Sequence, residues 1–388
     1  LPVWLQRAGY RTVHIGKYLN GYGADSRGPT YVPPGWSDWN ALVDPRAYVM
    51  WGYQINHSGA LSTYGQFKVE DPALYQTDVL KQIALDAITA AAGKPFFLNF
   101  DVVAPHDEML EGSALSSPMT GPRPAPRHAG VYANTALPHP PNFLEPDLSD
   151  KPAFVSQFAA ATGHETISQL TSRYRRRLES LRAVDDAVFA IVARLKALNL
   201  LDNTYIVFTS DNGWFNGEHG IHSNKFLMYE PSIRVPMYIR GPGLAHGTSD
   251  ELVANVDLAA TFLDLAGASA GRAIDGRSFV PYARDTTLHS KRPILLDAPL
   301  EQRLPIAPNS PAVVAVPAMR GLRTRRFVYV EHGTGEKELY DLQNDPYELA
   351  SVHNKALYYT QRVELHAALM QYQKCAGDTC RMELMAPN

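Results

Sequence analysis

Leu178, Leu181, Val184, Val188, Ile191, Leu195 and Leu198 recur at steps of three or four residues. That spacing lays one apolar stripe along a long helix. Asp202-Asn203 stops the helix, Tyr205 to Phe208 reads as a buried-type strand, and Ser210-Asp211-Asn212-Gly213 follows at once. A long helix handing over to a short apolar strand is the repeating unit of an α/β fold. The unit recurs along the chain. Residues 2–9 are helix-like and lead into a strand at 12–15 that ends in Gly16-Lys17; a helix from about 77 leads into a strand at 95–100 and then Ala104-Pro105-His106. A further strand, 235–239, is closed by Gly241-Pro242-Gly243, and a helix comes next at about 256–266.

Between these units, residues 21–39 are too broken by Gly, Pro and aromatic residues for regular structure, and 112–152 are crowded with Pro and read as a surface excursion. After about residue 290 the pattern changes. Residues 320–331 and 337–342 read as paired antiparallel strands, and 357–373 as a last helix. The expected fold class is therefore α/β, with a mainly parallel central sheet flanked by helices over 1–285. A smaller C-terminal α+β subdomain is expected over 286–388.

At 388 residues the chain can bury a large core, and 45% hydrophobic with 19% charged residues describes an ordinary globular composition. A formal net charge of -3 gives no electrostatic case for nucleic acid or an anionic membrane surface. No apolar run approaches the roughly 20 residues of a membrane-spanning helix. Cys375 and Cys380 flank a Gly-Asp turn near the end of the chain. A disulfide closing that loop is expected ahead of two free thiols, and it would favour an oxidising compartment.

The chemistry gathers where strands end. Lys17, His106 and the pair Asp211-Asn212 each come directly after an apolar run. In open α/β sheets ligands bind beyond the carboxyl ends of the strands, so these side chains are expected to converge. A cation, an imidazole and two hard oxygen donors suit an anionic ester bound beside a metal. Carboxylate and amide oxygens favour Ca²⁺ or Mg²⁺ over zinc. Each feature has a plainer reading in isolation: a solvated lysine, a loop histidine, a turn of Ser, Asp, Asn and Gly. Downstream, Lys225 lies beside Phe226-Leu227-Met228-Tyr229 and is the better candidate for an anion contact. The His219 and His222 pair is interrupted by Gly and is not expected to form a zinc site.

Five stretches together carry a resemblance: LQRAGYRTVHIGKYLNGYG near the start, APH at 104–106, NTYIVFTSDNGWFNGEHG at 203–220, NKFLMYEPSIRVPMYIRGPG at 224–243 and ELYDLQNDPYELASV at 338–352. In this order they resemble the sulfatase family of the alkaline phosphatase superfamily, over nearly the whole chain. GKYLNGYG followed by VPPGWSDW is similar to the branch containing N-acetylglucosamine-6-sulfatase.

The resemblance implies roles residue by residue. Asp211 and Asn212 match calcium ligands, with Mg²⁺ the lesser alternative. Lys17 and Lys225 match the lysines that hold sulfate oxygens, and His106 matches the histidine that binds sulfate and assists the leaving oxygen. Asn20 joins the substrate-binding set. Many members carry His two residues past the Lys, where this chain has Leu19. The family's nucleophile is a formylglycine made from Cys or Ser in a Cys/Ser-x-Pro-x-Arg motif by a formylglycine-generating enzyme. Neither cysteine here lies in such a motif, and the family's first strand, with its Asp-Asp pair, is not found. Both normally precede the opening segment, so the chain is expected to be N-terminally truncated.

On this resemblance the chain is expected to be a sulfuric ester hydrolase acting on sulfated carbohydrate, exported to a secreted, periplasmic or lysosomal location. Two alternatives stay open. One is a phosphodiesterase or phosphonate monoester hydrolase of the same superfamily, although two-zinc members show Asp-His where this chain has Asp211-Asn212. The other is a non-catalytic glycan-binding homologue.

Overall fold

The computed structural model describes residues 1–108, 121–163, 165–305 and 313–384. Part of the Pro-rich excursion, 112–120, therefore lies outside the described residues. In chain order the elements are α1 (Pro2–Arg7), β1 (Arg11–Gly16), β2 (Asp38–Leu42), β3 (Tyr53–His57), β4 (Ala60–Tyr64), α2 (Gln76–Ala90), β5 (Phe96–Asp101), α3 (Ala153–Thr162) and α4 (Ile167–Ala197). They continue with β6 (Ile206–Thr209), α5 (Glu230–Ile233), β7 (Met237–Arg240), α6 (Asn255–Ala266), α7 (Val280–Arg284), β8 (Ile294–Ala298) and β9 (Gln302–Pro305). The last are β10 (Val313–Val316), β11 (Met319–Arg323), β12 (Phe327–His332), β13 (Lys337–Asp341) and α8 (Tyr359–Tyr372). The chain groups into two compact units, each discontinuous in sequence. The first comprises Leu1–Leu137, Ile167–Thr204 and Ala266–Ser269; the second comprises the remainder.

The first unit is built on a mixed sheet in the order β4-β3-β2-β1-β5. β1 runs parallel to both β2 and β5, while β3 and β4 turn back antiparallel. Parallel pairing thus holds for the three strands that carry site residues from their carboxyl ends. β1 is buried from Thr12 to Gly16, as expected of a parallel strand covered on both faces. Val13 and Ile15 join Leu42, Trp51, Tyr53, Ile55, Leu80, Ala84 and Ala183 in one core, and α2 packs against α4.

The long apolar stripe on α4 is only half-buried apart from Val184 and Leu195; the fully buried set includes Arg173, Arg177, Glu179, Ser180, Ala183 and Ala187. Hydrogen bonding explains part of this. Glu179 accepts from the Gly130 N–H at 2.9 Å, and the Arg177 guanidinium donates to Asp107 Oδ1 at 2.9 Å. The helix presses polar side chains into the loops beside it, and each of these two meets a partner there.

The second unit holds the antiparallel pairs β6–β7 and β9–β10 and a four-stranded antiparallel sheet in the order β13-β12-β11-β8. Its core gathers Phe158, Phe215, Ile221, Leu227, Tyr229, Val316, Val328, Val330 and Tyr340. The run 320–331, which reads as one strand, is split between β11 and β12. Thr324 Oγ1 accepts from the Phe327 N–H at 2.9 Å and closes a tight turn between them. Cys375 and Cys380 are disulfide-bonded, and the loop they close is pinned where the Gly377 N–H donates to Asp275 Oδ1 at 2.7 Å. Among the described residues no helix is long and apolar enough to cross a membrane.

Candidate active site

In the first unit the candidate residues leave the carboxyl ends of the three parallel strands. Gly16 closes β1 opposite Asp101, the last residue of β5, and a side chain at Gly16 would put its Cβ 2.0 Å from the Asp101 carbonyl oxygen. With φ near +108° as well, the position admits only glycine. The same carbonyl accepts from the Lys17 N–H at 2.7 Å, so the strand ends fix where Lys17 begins.

The Lys17 ammonium donates to Asp44 Oδ2 at 3.1 Å and to the Leu19 carbonyl at 3.0 Å, and sits 5.0 Å from the centre of the Tyr48 ring. Its side chain is 16% exposed and that of Asp44 is 9% exposed, so the pair is largely withdrawn from water. Asp44 also accepts from the Gly21 N–H at 2.5 Å. The Tyr48 hydroxyl donates to Asn20 Oδ1 at 2.9 Å, and its ring lies 4.7 Å from the His106 imidazole, centre to centre. His106 Nδ1 lies 2.8 Å from the Asp107 carbonyl, which accepts only if that nitrogen carries the proton; Nε2 is then the acceptor of the neutral ring. Lys17, Asn20 and His106 are thereby gathered around one aromatic side chain.

Asp44 and Tyr48 were not among the residues singled out from the sequence. Both lie just after β2, a strand whose polar and aromatic sequence, DWNAL, gives no apolar run to read. The Asp44-Pro45 dipeptide marks a turn and nothing more.

In the second unit Asp211 and Asn212 leave β6 in a tight turn. Asp211 Oδ1 accepts from the Asn212 N–H at 2.9 Å, and the Ser210 hydroxyl donates to the Asn212 carbonyl at 3.0 Å. Asn212 Nδ2 donates to the Gly213 carbonyl at 2.8 Å, which turns its donor side inward and leaves Oδ1 as the acceptor on offer. The turn is clamped below. The Gly213 N–H donates to the Ser232 carbonyl at 2.8 Å, and a Cβ at Gly213 would lie 2.1 Å from the Pro231 carbonyl oxygen. The loop carrying Lys225 is laced to the same segment, since the Phe215 N–H donates to the Asn224 carbonyl at 3.0 Å and the Ser232 hydroxyl donates to the Lys225 carbonyl. Among the described residues no carboxylate forms an ion pair with the Lys225 ammonium, in contrast to Lys17.

The donor set suits a hard cation. An exposed carboxylate and a neighbouring amide oxygen are ligands for Ca²⁺ or Mg²⁺. Among the described residues no group of three or more His, Cys, Asp or Glu side chains gathers as a metal site. His219 is fully buried, with Nδ1 2.6 Å from Glu145 Oε2 and Nε2 3.2 Å from Asn142 Nδ2. Both ring nitrogens are engaged, the first as donor and the second as acceptor, which makes it a structural residue.

One titrating group went unnoticed in the sequence. His14, three residues before Lys17 on β1, is fully buried and stacks on Trp39 with centres 4.5 Å apart. Burial lowers its pKa from 6.5 to about 4, against a smaller upward pull from a hydrogen bond to the Gly16 backbone.

The chain matches two family models: the sulfatase model over residues 1–268, and the N-sulphoglucosamine sulphohydrolase C-terminal model over 217–375. It is 32% identical to an arylsulfatase of Volvox carteri over 418 residues, covering 98% of this chain and 62% of that one. It is 32% identical to N-acetylglucosamine-6-sulfatase of Capra hircus over 399 residues, covering 96% of this chain and 68% of that one. The chain therefore spans roughly two thirds of the length of these relatives. Among solved structures, BT4656 in complex with its substrate D-glucosamine-2-N,6-O-disulfate is similar at a TM-score of 0.74 and 24% identity, covering 98% of this chain and 82% of that one. The phosphonate monoester hydrolase of Silicibacter pomeroyi is similar at 0.69 and 20%, covering 96% and 79%. At such identities these two likenesses are of fold, which is that of the alkaline-phosphatase-like sulfatases. With the family model matched over 1–268 and relatives at 32% identity across nearly its whole length, the chain belongs to the sulfatase family.

Proposed function

We propose that this chain is the larger part of a sulfuric ester hydrolase that removes sulfate from sulfated sugars, 6-sulfated N-acetylglucosamine among them. The observation that carries this reading is the gathering of Lys17, Asn20 and His106 around Tyr48 in a chain of this family. Lys17 holds a sulfate oxygen and His106 meets the leaving oxygen; the family resemblance gives Lys225 the role of a sulfate-binding lysine. A fixed cation offsets charge that builds on the ester in the transition state, and a positioned imidazolium, carrying a proton on Nε2 as well as on Nδ1, gives the Nε2 proton to the departing alkoxide. Asp211 and Asn212 would contribute oxygen ligands to a calcium ion, which in this family's chemistry offsets negative charge on a bound ester. The substrate choice rests on the N-acetylglucosamine-6-sulfatase relative. Residues 1–285 would carry this chemistry and 286–388 would form the smaller subdomain. Export to a secreted, periplasmic or lysosomal location accords with the Cys375–Cys380 disulfide.

Neither cysteine is in a Cys-x-Pro-x-Arg motif, and the two are bonded to each other. A formylglycine nucleophile would thus have to come from sequence outside these 388 residues. The test is sulfate release from a panel of sulfated sugars with a phosphonate monoester alongside. The chain alone is expected to show no turnover. Joined to a Cys-x-Pro-x-Arg segment and matured by a formylglycine-generating enzyme, it is expected to hydrolyse 6-sulfated N-acetylglucosamine, with one calcium and no zinc by elemental analysis. In that enzyme His106→Ala lowers kcat by roughly 10²–10⁴-fold. Preference for the phosphonate would hand the case to the rival hydrolase, and turnover by the chain alone would overturn the assignment of the nucleophile.

A further inference from the structure

We propose that Tyr48 is a positioning residue for the anionic ester: it sets the Lys17 ammonium and the His106 imidazole against one another, with Asp44 as the counter-ion that keeps Lys17 in register. The proposal rests on the reading of Lys17 and His106 as sulfate contacts given above. Nothing in the family resemblance assigns a role to Asp44 or Tyr48; the geometry does.

A lysine carries a flexible four-carbon stem, and an ammonium left to water samples many positions. Here three contacts fix it. Asp44 pairs with it at 3.1 Å, the Leu19 carbonyl accepts at 3.0 Å, and the Tyr48 ring lies 5.0 Å away, within range of a cation–π attraction. The ring also packs against His106 at 4.7 Å with an interplanar angle of 43°. One side chain therefore touches both groups assigned above to the sulfate ester. The hydroxyl donates to Asn20 at 2.9 Å, which anchors the far end of the side chain.

Tyr48 is itself held from behind. It ends a short 3₁₀ turn, Arg46–Tyr48, that leaves the carboxyl end of β2, and Ala47 and Val49 on either side are buried in the core of the first unit. The neighbouring backbone is fixed as well, since Gln76 Nε2 donates to the carbonyls of Ala47 and Val49 at 2.9 and 2.8 Å. Gln76 is fully buried, so the turn cannot drift without leaving that amide unsatisfied. The ring is thus a fixed spacer between the two polar side chains.

The test uses the chain as it is, with inorganic sulfate as the probe and the side-chain NMR signals of His106 as the readout. Tyr48→Phe keeps the ring and drops only the hydroxyl. Tyr48→Leu drops the ring, and Tyr48→Met is the second ring-less variant should Tyr48→Leu fail to fold, judged by an amide spectrum unchanged away from the site. In the parent chain sulfate is expected to move the His106 signals. Tyr48→Phe should bind within about threefold of the parent, the loss of one exposed hydrogen bond. The ring-less variants should lose the ring-induced shift of His106 and bind sulfate roughly three- to thirty-fold more weakly, the range of a cation–π contact from exposed to desolvated settings.

The outcomes separate the two ideas. A ring-less variant that loses the His106 ring shift yet binds sulfate as tightly as the parent would show Tyr48 to be packing only and would overturn this proposal while leaving the sulfate site intact. No response of His106 to sulfate in the parent chain would overturn the sulfate-site reading itself, and this proposal with it.

Discussion

Replacing His14 by Phe should flatten the pH dependence of stability between neutral and mildly acid conditions. The folded pKa of His14 is about 4 against 6.5 for a free imidazole, because the fully buried ring stacks on Trp39 away from water. The folded state therefore resists a proton that the unfolded chain accepts. The stability tied to the neutral ring is complete above about pH 6.5 and is lost as pH falls toward about 4, below which both states are protonated. A shift of this size corresponds to about 3 kcal/mol over the whole range, of which about 2 kcal/mol is gone by pH 5. The Phe variant has a ring of similar size for Trp39 to stack on and nothing to titrate, so it should lack that loss. Its absolute stability at pH 7 can differ from the parent by about 1–3 kcal/mol through overpacking, so the slope is the quantity to read. The assay is urea unfolding followed by tryptophan fluorescence at pH 7, 6, 5 and 4.5. Four of the five tryptophans, Trp4, Trp36, Trp39 and Trp51, lie in the first unit, so the signal reports mainly on the unit that contains His14. Parallel stability profiles for parent and variant across this window would refute the reasoning.

Two further outcomes are expected. Asp341 is 1% exposed and accepts from Arg326 Nη2 at 2.6 Å, Asn344 Nδ2 at 2.8 Å and the Tyr358 hydroxyl at 2.9 Å; the Arg326 guanidinium chiefly holds its pKa down to about 2 from 3.8. That stability is present above about pH 4 and lost as pH falls to about 2, so Asp341→Asn should cost about 2 kcal/mol at pH 7 by chemical denaturation and almost nothing near pH 2. Replacing Cys375 and Cys380 together by Ser should lower stability by about 2 kcal/mol on chain-entropy grounds, with reductant producing the same change in the parent and none in the variant; a parent insensitive to reductant would count against it.

How far the sequence could be read depended on whether a residue's neighbours along the chain also decide its environment. β1, β5 and β6 lie within a residue or two of their expected places, because each is an apolar run closed by Gly or a polar turn. β3 was not legible. Asn56 sits inside it, fully buried, where Nδ2 donates to the Tyr22 hydroxyl at 2.8 Å and Oδ1 accepts from the Gly59 N–H at 2.6 Å. Asn56 falls on the polar phase of the Tyr53-Gln54-Ile55-Asn56 alternation, so the local pattern reads it as solvent-facing and does not record the Tyr22 hydroxyl, from a distant loop, that lets it be buried. The site divides the same way. Lys17 and His106 come after readable strands and could be singled out, whereas Asp44 and Tyr48 come after β2, which could not. The pairing of Lys17 with Asp44 spans 27 positions and depends on β1 and β2 lying side by side, a fact of topology that no local spacing records.

The closeness of Gly16 to the Asp101 carbonyl has a consequence for how this protein tolerates variation. In a saturation library, position 16 should be emptied of every substitution under selection for soluble expression alone, since each new side chain meets backbone that cannot move aside. Position 17, one residue on, should be depleted far more strongly when the chain, joined to a matured Cys-x-Pro-x-Arg segment, is selected for the proposed sulfate release than when it is selected for expression. Running the two selections side by side would draw the border between scaffold and chemistry across a single peptide bond.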